Sequence, residues 1–359
     1  MKRLELLDYA RLFAAVIVVL FHYTFNGIAN GKVDSISHIP GLIDVTKYGF
    51  LGVELFFMIS GYVIFFSAKT RSPSAFAVSR MTRLYPAFWF AVLFTAAFIM
   101  LWGGDTISVT LPQVLANLTM IQPLLGFEDV DGVYWTLLYE LKFYFLVFVA
   151  LMLGLQSRLG GLFQLWPVLF AAAWVLNLDT IPYLGSYYYY FAAGALFAML
   201  KEKTDWKTIV SLLVTYGLCV QFTVDRTMRM MEPKGFDYSA IGVALAITAC
   251  FAFFAYQNTR HAASLRLPFS KLAGGLTYPI YLLHAHFGYL IFIRFANDDN
   301  KVAIYLITSA IVVTLAYLVH QIIENKLHLV WKNLINNTVG VVLRGAEGMI
   351  TRSGYQTAR

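Results

Sequence analysis

Apolar residues run along this chain in long unbroken blocks, without the strict alternation of half-buried strands or the one-sided stripes of soluble helices. A bilayer core needs roughly 20 consecutive apolar residues per helix. Ten stretches approach that length: 6–25, 48–67, 86–102, 135–154, 162–178, 187–200, 207–224, 239–257, 276–295 and 302–323. The sixth is short, and LPQVLANLTMIQPLL at 111–125 reads as a re-entrant or interfacial helix. The pattern predicts an all-α polytopic integral membrane protein with about ten transmembrane helices. Residues 1–325 form the expected membrane-embedded domain, and 326–359 a basic tail whose segment LHLVWKNLINNTVGVVL (327–343) reads as an amphipathic helix lying on the membrane. The sequence contains neither an internal repeat nor a low-complexity linker.

Composition sharpens this. Of 359 residues 59% are hydrophobic and only 13% charged, with a mean hydropathy of +0.66. Soluble domains carry roughly 25% charged residues, so a soluble enzyme, a disordered chain and a disulfide scaffold are excluded. Cys219 and Cys250 sit in apolar runs without pairing or metal-ligand spacing and read as packing residues. The net charge of +7 is unevenly placed. With the N-terminus inside, the inner segments hold 18 Lys and Arg and the outer segments six; the outer loop 103–134 has none, but carries Asp105, Glu128, Asp129 and Asp131. That asymmetry orients both termini toward the cytoplasm and makes nucleic-acid binding an unnecessary explanation of the basic pI. Residues 1–25 read as a retained first helix and not as a signal peptide, because Asp8 and Arg11 interrupt the apolar run.

Ionisable side chains at mid-membrane cost about 2.5–3.5 kcal/mol each on insertion scales, which makes each a functional candidate. Arg11 and His22 are eleven residues apart. Three helical turns separate them, so they share a face about 16 Å apart along the axis. Asp8 lies one turn before Arg11 and can pair with it. Taken alone, Arg11 also fits a residue snorkelling to the inner surface, and His22 a loop contact. Glu54 lies in the outer half of the second span, near Ser60 and Gly61, whose small side chains allow close helix approach. In the inner loop SRMTRLYPAFWF, Arg80 and Arg83 point the same way at i, i+3, which suits capture of phosphate oxygens, although two arginines before a span also serve as topology determinants. Glu140 lies about 9 Å below the aromatic pair Tyr134 and Trp135, close to Tyr139 and Tyr144, where a carboxyl group is placed for acid–base work. Lys142 points away from it. His284 falls near mid-membrane with Tyr278 and Tyr281 one or two turns away, and reads equally as a helix–helix hydrogen bond. Arg294 reads as snorkelling outward, and His320 with Glu324 as a structural pair.

Five blocks of this sequence together resemble the membrane-bound acyltransferase 3 family, the O-acyltransferases of bacterial surface glycans. LDYARLFAAVIVVLFH resembles its opening Arg-x10-His helix and GVELFFMISGYVI its second helix. SRMTRLYPAFW resembles its Arg-x-x-Arg segment, WTLLYELKFYF its Trp-Ser/Thr-Leu-x-x-Glu-x-x-Phe-Tyr stretch, and LTYPIYLLH its late Tyr-x-x-Tyr-Leu-x-His helix. The blocks come in the family's order over residues 6–284. Glu54 stands where many relatives have Asp, a departure that keeps the charge.

The resemblance implies transfer of an acetyl or related acyl group from cytoplasmic acyl-CoA to a hydroxyl of a lipid-linked or surface polysaccharide, in the bacterial inner membrane. This chain would be of the stand-alone type. Acetyl-CoA is then a donor substrate; no bound cofactor and no metal is implied. Arg80 and Arg83 become contacts for the coenzyme A phosphates, with Arg11 guiding the same anion. His22 becomes the general base on the acceptor hydroxyl, oriented or relayed by Glu140; Glu54, Tyr139, Tyr144, Tyr281 and His284 stand behind them. Direct transfer is preferred over a covalent relay. The rival reading is a secondary transporter or flippase, whose intramembrane charges would look alike but whose usual matching half-repeats are missing here.

Overall fold

The computed structural model describes residues 4–104, 106–231 and 235–356, with side chains through residue 349 except that of residue 231. All regular structure in this part of the chain is helical. Among the described residues, eight helices are long and apolar enough to cross a bilayer: α1 (Glu5–Ala29), α2 (Ile43–Lys69), α3 (Pro73–Trp102), α4 (Trp135–Met152), α5 (Leu155–Val175), then the Trp206–Met230, Ala240–Gln257 and Lys301–Lys326 helices. A bent pair, Ser270–Leu283 and Ala285–Phe295, with a 59° break between its helices, is long and apolar enough to make a ninth crossing if it forms one span. The protein is therefore a multi-pass membrane protein. The expected sixth span is α6, Tyr188–Glu202, with only 15 residues. It is about 22 Å long, less than the ~30 Å hydrocarbon core. Its residues from Tyr188 to Ala198 are all buried against other helices, so its environment is protein.

The two innermost helices, α2 and α6, meet through glycine. A Cβ on Gly194 would lie 1.9 Å from the Met58 carbonyl oxygen, and one on Gly61 would lie 2.0 Å from that of Phe191. Backbone touches backbone here, which is the close approach that small residues permit. Outer helices instead present apolar side chains to lipid, among them Phe13, Leu101 and Leu306.

Four expectations are corrected. The third helix begins at Pro73, not at 86, because Ser72 caps it (its Oγ accepts the Ala75 N–H at 3.3 Å) and Pro86 is accommodated within it. Pro is tolerated inside membrane helices because neighbouring groups satisfy the freed carbonyl. Arg80 and Arg83 thus stand on a regular helix and not in a loop; its 30 residues reach about 45 Å, so the charged first turns project past the hydrocarbon thickness. The span 276–295 is broken at His284, whose Nδ1 lies 2.8 Å from the Tyr281 carbonyl oxygen and 3.2 Å from that of Ile280, acceptors the backbone ladder would otherwise use. The 111–125 segment splits into a capped helix, Leu111–Asn117, and a short 3-10 turn, Gln122–Leu125. The tail segment is also two helices, His328–Asn337 and Val339–Gln356, both packed on α3.

Candidate active site

Between α1, α2, α3, α4, the bent pair and the tail lies a half-open cavity of about 1030 Å³, at the upper end of the ~300–1,000 Å³ of small-molecule sites. Among the described residues that line it, seven are Arg or Lys and three are carboxylates. Arg11 pairs with Asp8 at 3.3 Å and Arg83 with Glu324 at 3.1 Å. Arg80 has no carboxylate partner among the described residues. Its Nη2 donates to Ser79 Oγ at 3.1 Å, its buried Nε is unpartnered, and its guanidinium lies over the Tyr144 ring at 5.9 Å. Such a surplus of fixed guanidinium groups favours a polyanion, phosphate above all. Further in, Glu140 accepts hydrogen bonds from Ser60 Oγ (3.0 Å) and from Tyr144 OH. At the buried end stand Thr136 and Tyr281, whose hydroxyls are 2.8 Å apart. Both also reach the Val133 carbonyl oxygen, at 3.0 and 3.2 Å. Two hydrogens serve these contacts, so neither hydroxyl is a spare donor for an oxyanion.

His22 lies beyond this end. Residues 22–26 form a π-helical turn in α1, a local widening that frequently marks functional sites. The Tyr281 ring packs 5.8 Å from that of His284, and His284 Nε2 is 3.1 Å from His22 Nδ1. The network assigns the tautomers. His284 Nδ1 faces only carbonyl oxygens and must carry its proton, so its Nε2 is an acceptor. His22 Nδ1 faces that acceptor and the Val18 carbonyl oxygen at 2.9 Å, so it too is protonated. The lone pair of His22 is therefore on Nε2, which takes no hydrogen bond among the described residues. That is the form a general base requires.

The sequence-derived site thus divides. Arg11, Arg80, Arg83, Glu140 and Tyr144 share the cavity, with Tyr281 at its end, while His22 and His284 meet just outside. Glu140 does not touch His22; its partners are Ser60 and Tyr144, and the side chain that holds His22 is His284. Glu54 belongs to neither group. Fully buried, it faces Arg226 at 3.5 Å, whose guanidinium lies over Phe50 and Tyr187. Tyr139 joins an aromatic cluster with Trp135, Tyr187 and Tyr188. Lys142 makes no ion pair among the described residues.

Sequence reasoning overlooked a third group. His286 donates its backbone N–H to Asp131 Oδ2 at 2.8 Å, and its Nε2 lies 2.7 Å from Lys32 Nζ. Burial holds the Lys32 ammonium below its ordinary range, against the opposing pull of the Asp131 and Glu128 charges. The signal was present, since Asp131 is an acid in a loop devoid of bases, but its partners are more than 90 residues away in sequence. Glu324, expected as a structural partner of His320, does hold His320 Nδ1 at 2.7 Å, yet it also occupies Arg83.

A family model described as an acyltransferase domain, that of the acyltransferase 3 family, matches residues 4–321. The chain belongs to this family. The acyltransferase 3 match covers nearly all of the membrane-embedded helices and includes Arg11, His22, Arg80, Arg83, Glu140, Tyr144, Tyr281 and His284, while Glu324 lies just beyond it. No curated protein and no solved structure gives a significant match. As a member of the acyltransferase 3 family, the protein is a membrane acyltransferase.

A difference between the two arginines follows from their partners. For a phosphate-bearing ligand in this cavity, Arg80→Ala should weaken binding by about tenfold or more, the worth of a charge-assisted hydrogen bond. Arg83→Ala should cost less, because the phosphate must first displace Glu324. Apparent affinities of both variants for coenzyme A as a phosphate-bearing probe test this, and equal losses would contradict it.

Proposed function

We propose that the protein transfers an acyl group, with acetyl the expected case, from cytoplasmic acyl-CoA to a hydroxyl of a lipid-linked or surface polysaccharide in a bacterial inner membrane. One observation carries this reading: the phosphate-suited cavity leads from exposed cations to Tyr281, and Tyr281 adjoins the His284–His22 pair with its free Nε2. The distribution of Lys and Arg supports a cytoplasmic position for the cationic end.

In this reading the coenzyme A phosphates rest against Arg80 and Arg83, and the thioester reaches inward toward Tyr281. The acceptor oxygen attacks the thioester carbonyl carbon, the carbon–sulfur bond breaks, and the hydroxyl proton passes to His22 Nε2. Coenzyme A leaves as a thiolate and takes up a proton. Direct transfer is favoured, since the base sits beside the end of the donor cavity and needs no intermediate carrier. Glu140, held by Ser60 and Tyr144, shapes the donor passage.

The test is release of free coenzyme A from acetyl-CoA by membrane vesicles, with and without lipid-linked glycan extracts. Acceptor-stimulated release with acetyl appearing on the glycan is the expected result. No release with any acceptor, together with glycan or anion translocation, would replace this reading by a transporter.

A further inference from the structure

Resting on the acyl-CoA reading, we infer that the C-terminal helix pair, His328–Asn337 and Val339–Gln356, completes the donor site, with Lys332 and Arg344 binding phosphate at the cavity mouth.

The pair lies outside residues 4–321 matched by the family model, yet both cations line the same cavity as Arg80 and Arg83. The helices are docked, not loosely tethered. Trp331 packs edge-on against Trp89 of α3 at 6.0 Å, Ile335 is buried, and Glu347 Oε2 accepts the Ser74 N–H at 3.3 Å. Arg344 is held by its own tail: Nη1 donates to Asn336 Oδ1 at 2.7 Å and Nη2 to the Asn336 carbonyl oxygen at 3.2 Å, at the end of the first tail helix. That clamp fixes a guanidinium where an amphipathic surface helix would leave one free in solvent. Lys332 makes neither a hydrogen bond nor an ion pair among the described residues. The connection into the tail also carries Glu324, the carboxylate that pairs with Arg83 at 3.1 Å. A phosphate arriving between Lys332, Arg344 and Arg83 supplies the negative charge that Glu324 now provides. The tail thus does more than rest on the membrane: it adds two cations, without carboxylate partners among the described residues, to the phosphate end of the cavity.

Phosphate could come from coenzyme A or from an anionic lipid headgroup, and the test separates them. Coenzyme A binding is measured on the full-length protein in nanodiscs of zwitterionic phosphatidylcholine, and again with phosphatidylglycerol added. Wild type is compared with Lys332→Gln, Arg344→Gln and the double variant. Lys332 is exposed, and Lys332→Gln breaks no hydrogen bond or ion pair among the described residues, so its effect is not one of misfolding; Lys332→Arg should restore binding. The expected result is a loss of about tenfold for Lys332→Gln in phosphatidylcholine and a larger loss for the double variant. Wild-type binding with unchanged affinity in Lys332→Gln and the double variant would overturn the tail's role alone. A loss seen only with phosphatidylglycerol would reassign the cations to lipid and overturn it too. Wild type that binds no coenzyme A at all would overturn the acyl-CoA reading beneath it.

Discussion

His22→Ala eliminates acyl transfer while coenzyme A binding stays within twofold of wild type (~0.4 kcal/mol): this is the expected outcome if the free Nε2 is the base. Positioned general bases contribute about 10²–10⁴-fold, and His22 touches none of the residues lining the cationic end, so the loss should fall on turnover and spare donor affinity. His284 acts through His22 and should behave differently. Its Nε2 accepts from His22 Nδ1, and His284→Ala removes that orientation, while His284→Asn offers a carbonyl oxygen to the same N–H. Partial rescue by Asn over Ala would mark positioning. Equal activity in His22→Ala and wild type would remove His22 from the mechanism.

Gly194→Val is expected to destroy the fold outright. Overpacking a core normally costs about 1–3 kcal/mol because side chains can shift. Here the added carbon would meet the Met58 carbonyl at 1.9 Å and the Tyr62 nitrogen at 2.8 Å, backbone atoms of a regular helix that cannot turn aside. α2 and α6 would have to separate, and α2 carries Ser60 and Phe56 along the cationic cavity. The measurement is recovery of monodisperse protein from detergent and its melting temperature. Gly161→Ala, where an added Cβ meets nothing within 4 Å, is the control and should melt at or above wild type. A Gly194→Val protein that melts like wild type would mean that the two helices do not touch as described.

What was legible came from requirements acting over one segment at a time. The bilayer demands ~20 apolar residues per crossing, and that rule located the long spans. The motif blocks around Arg11, His22, Arg80, Arg83, Glu140 and His284 named the family, which the match over residues 4–321 establishes. Where local rules misled, a neighbouring group had intervened. The third apolar stretch starts only at 86, because the helix turns before it carry Arg80 and Arg83 and so escape a count of apolar residues. The short α6 looked too short because its buried surroundings were invisible, and His284 broke its own helix through a side-chain bond to the preceding turn.

The chain alone determined that this is a helical membrane protein with charges retained inside it, because hydrophobic length and charge bias are written residue by residue. Only the tertiary structure decided which of those charges meet. His22 finds His284 across 262 positions, Arg83 finds Glu324 across 241, and Glu140 turns to Ser60 and Tyr144 instead of His22. Hydrogen bonds act over about 3 Å. Partners at that range are set by how helices pack, and packing between distant segments leaves no periodic trace along either of them.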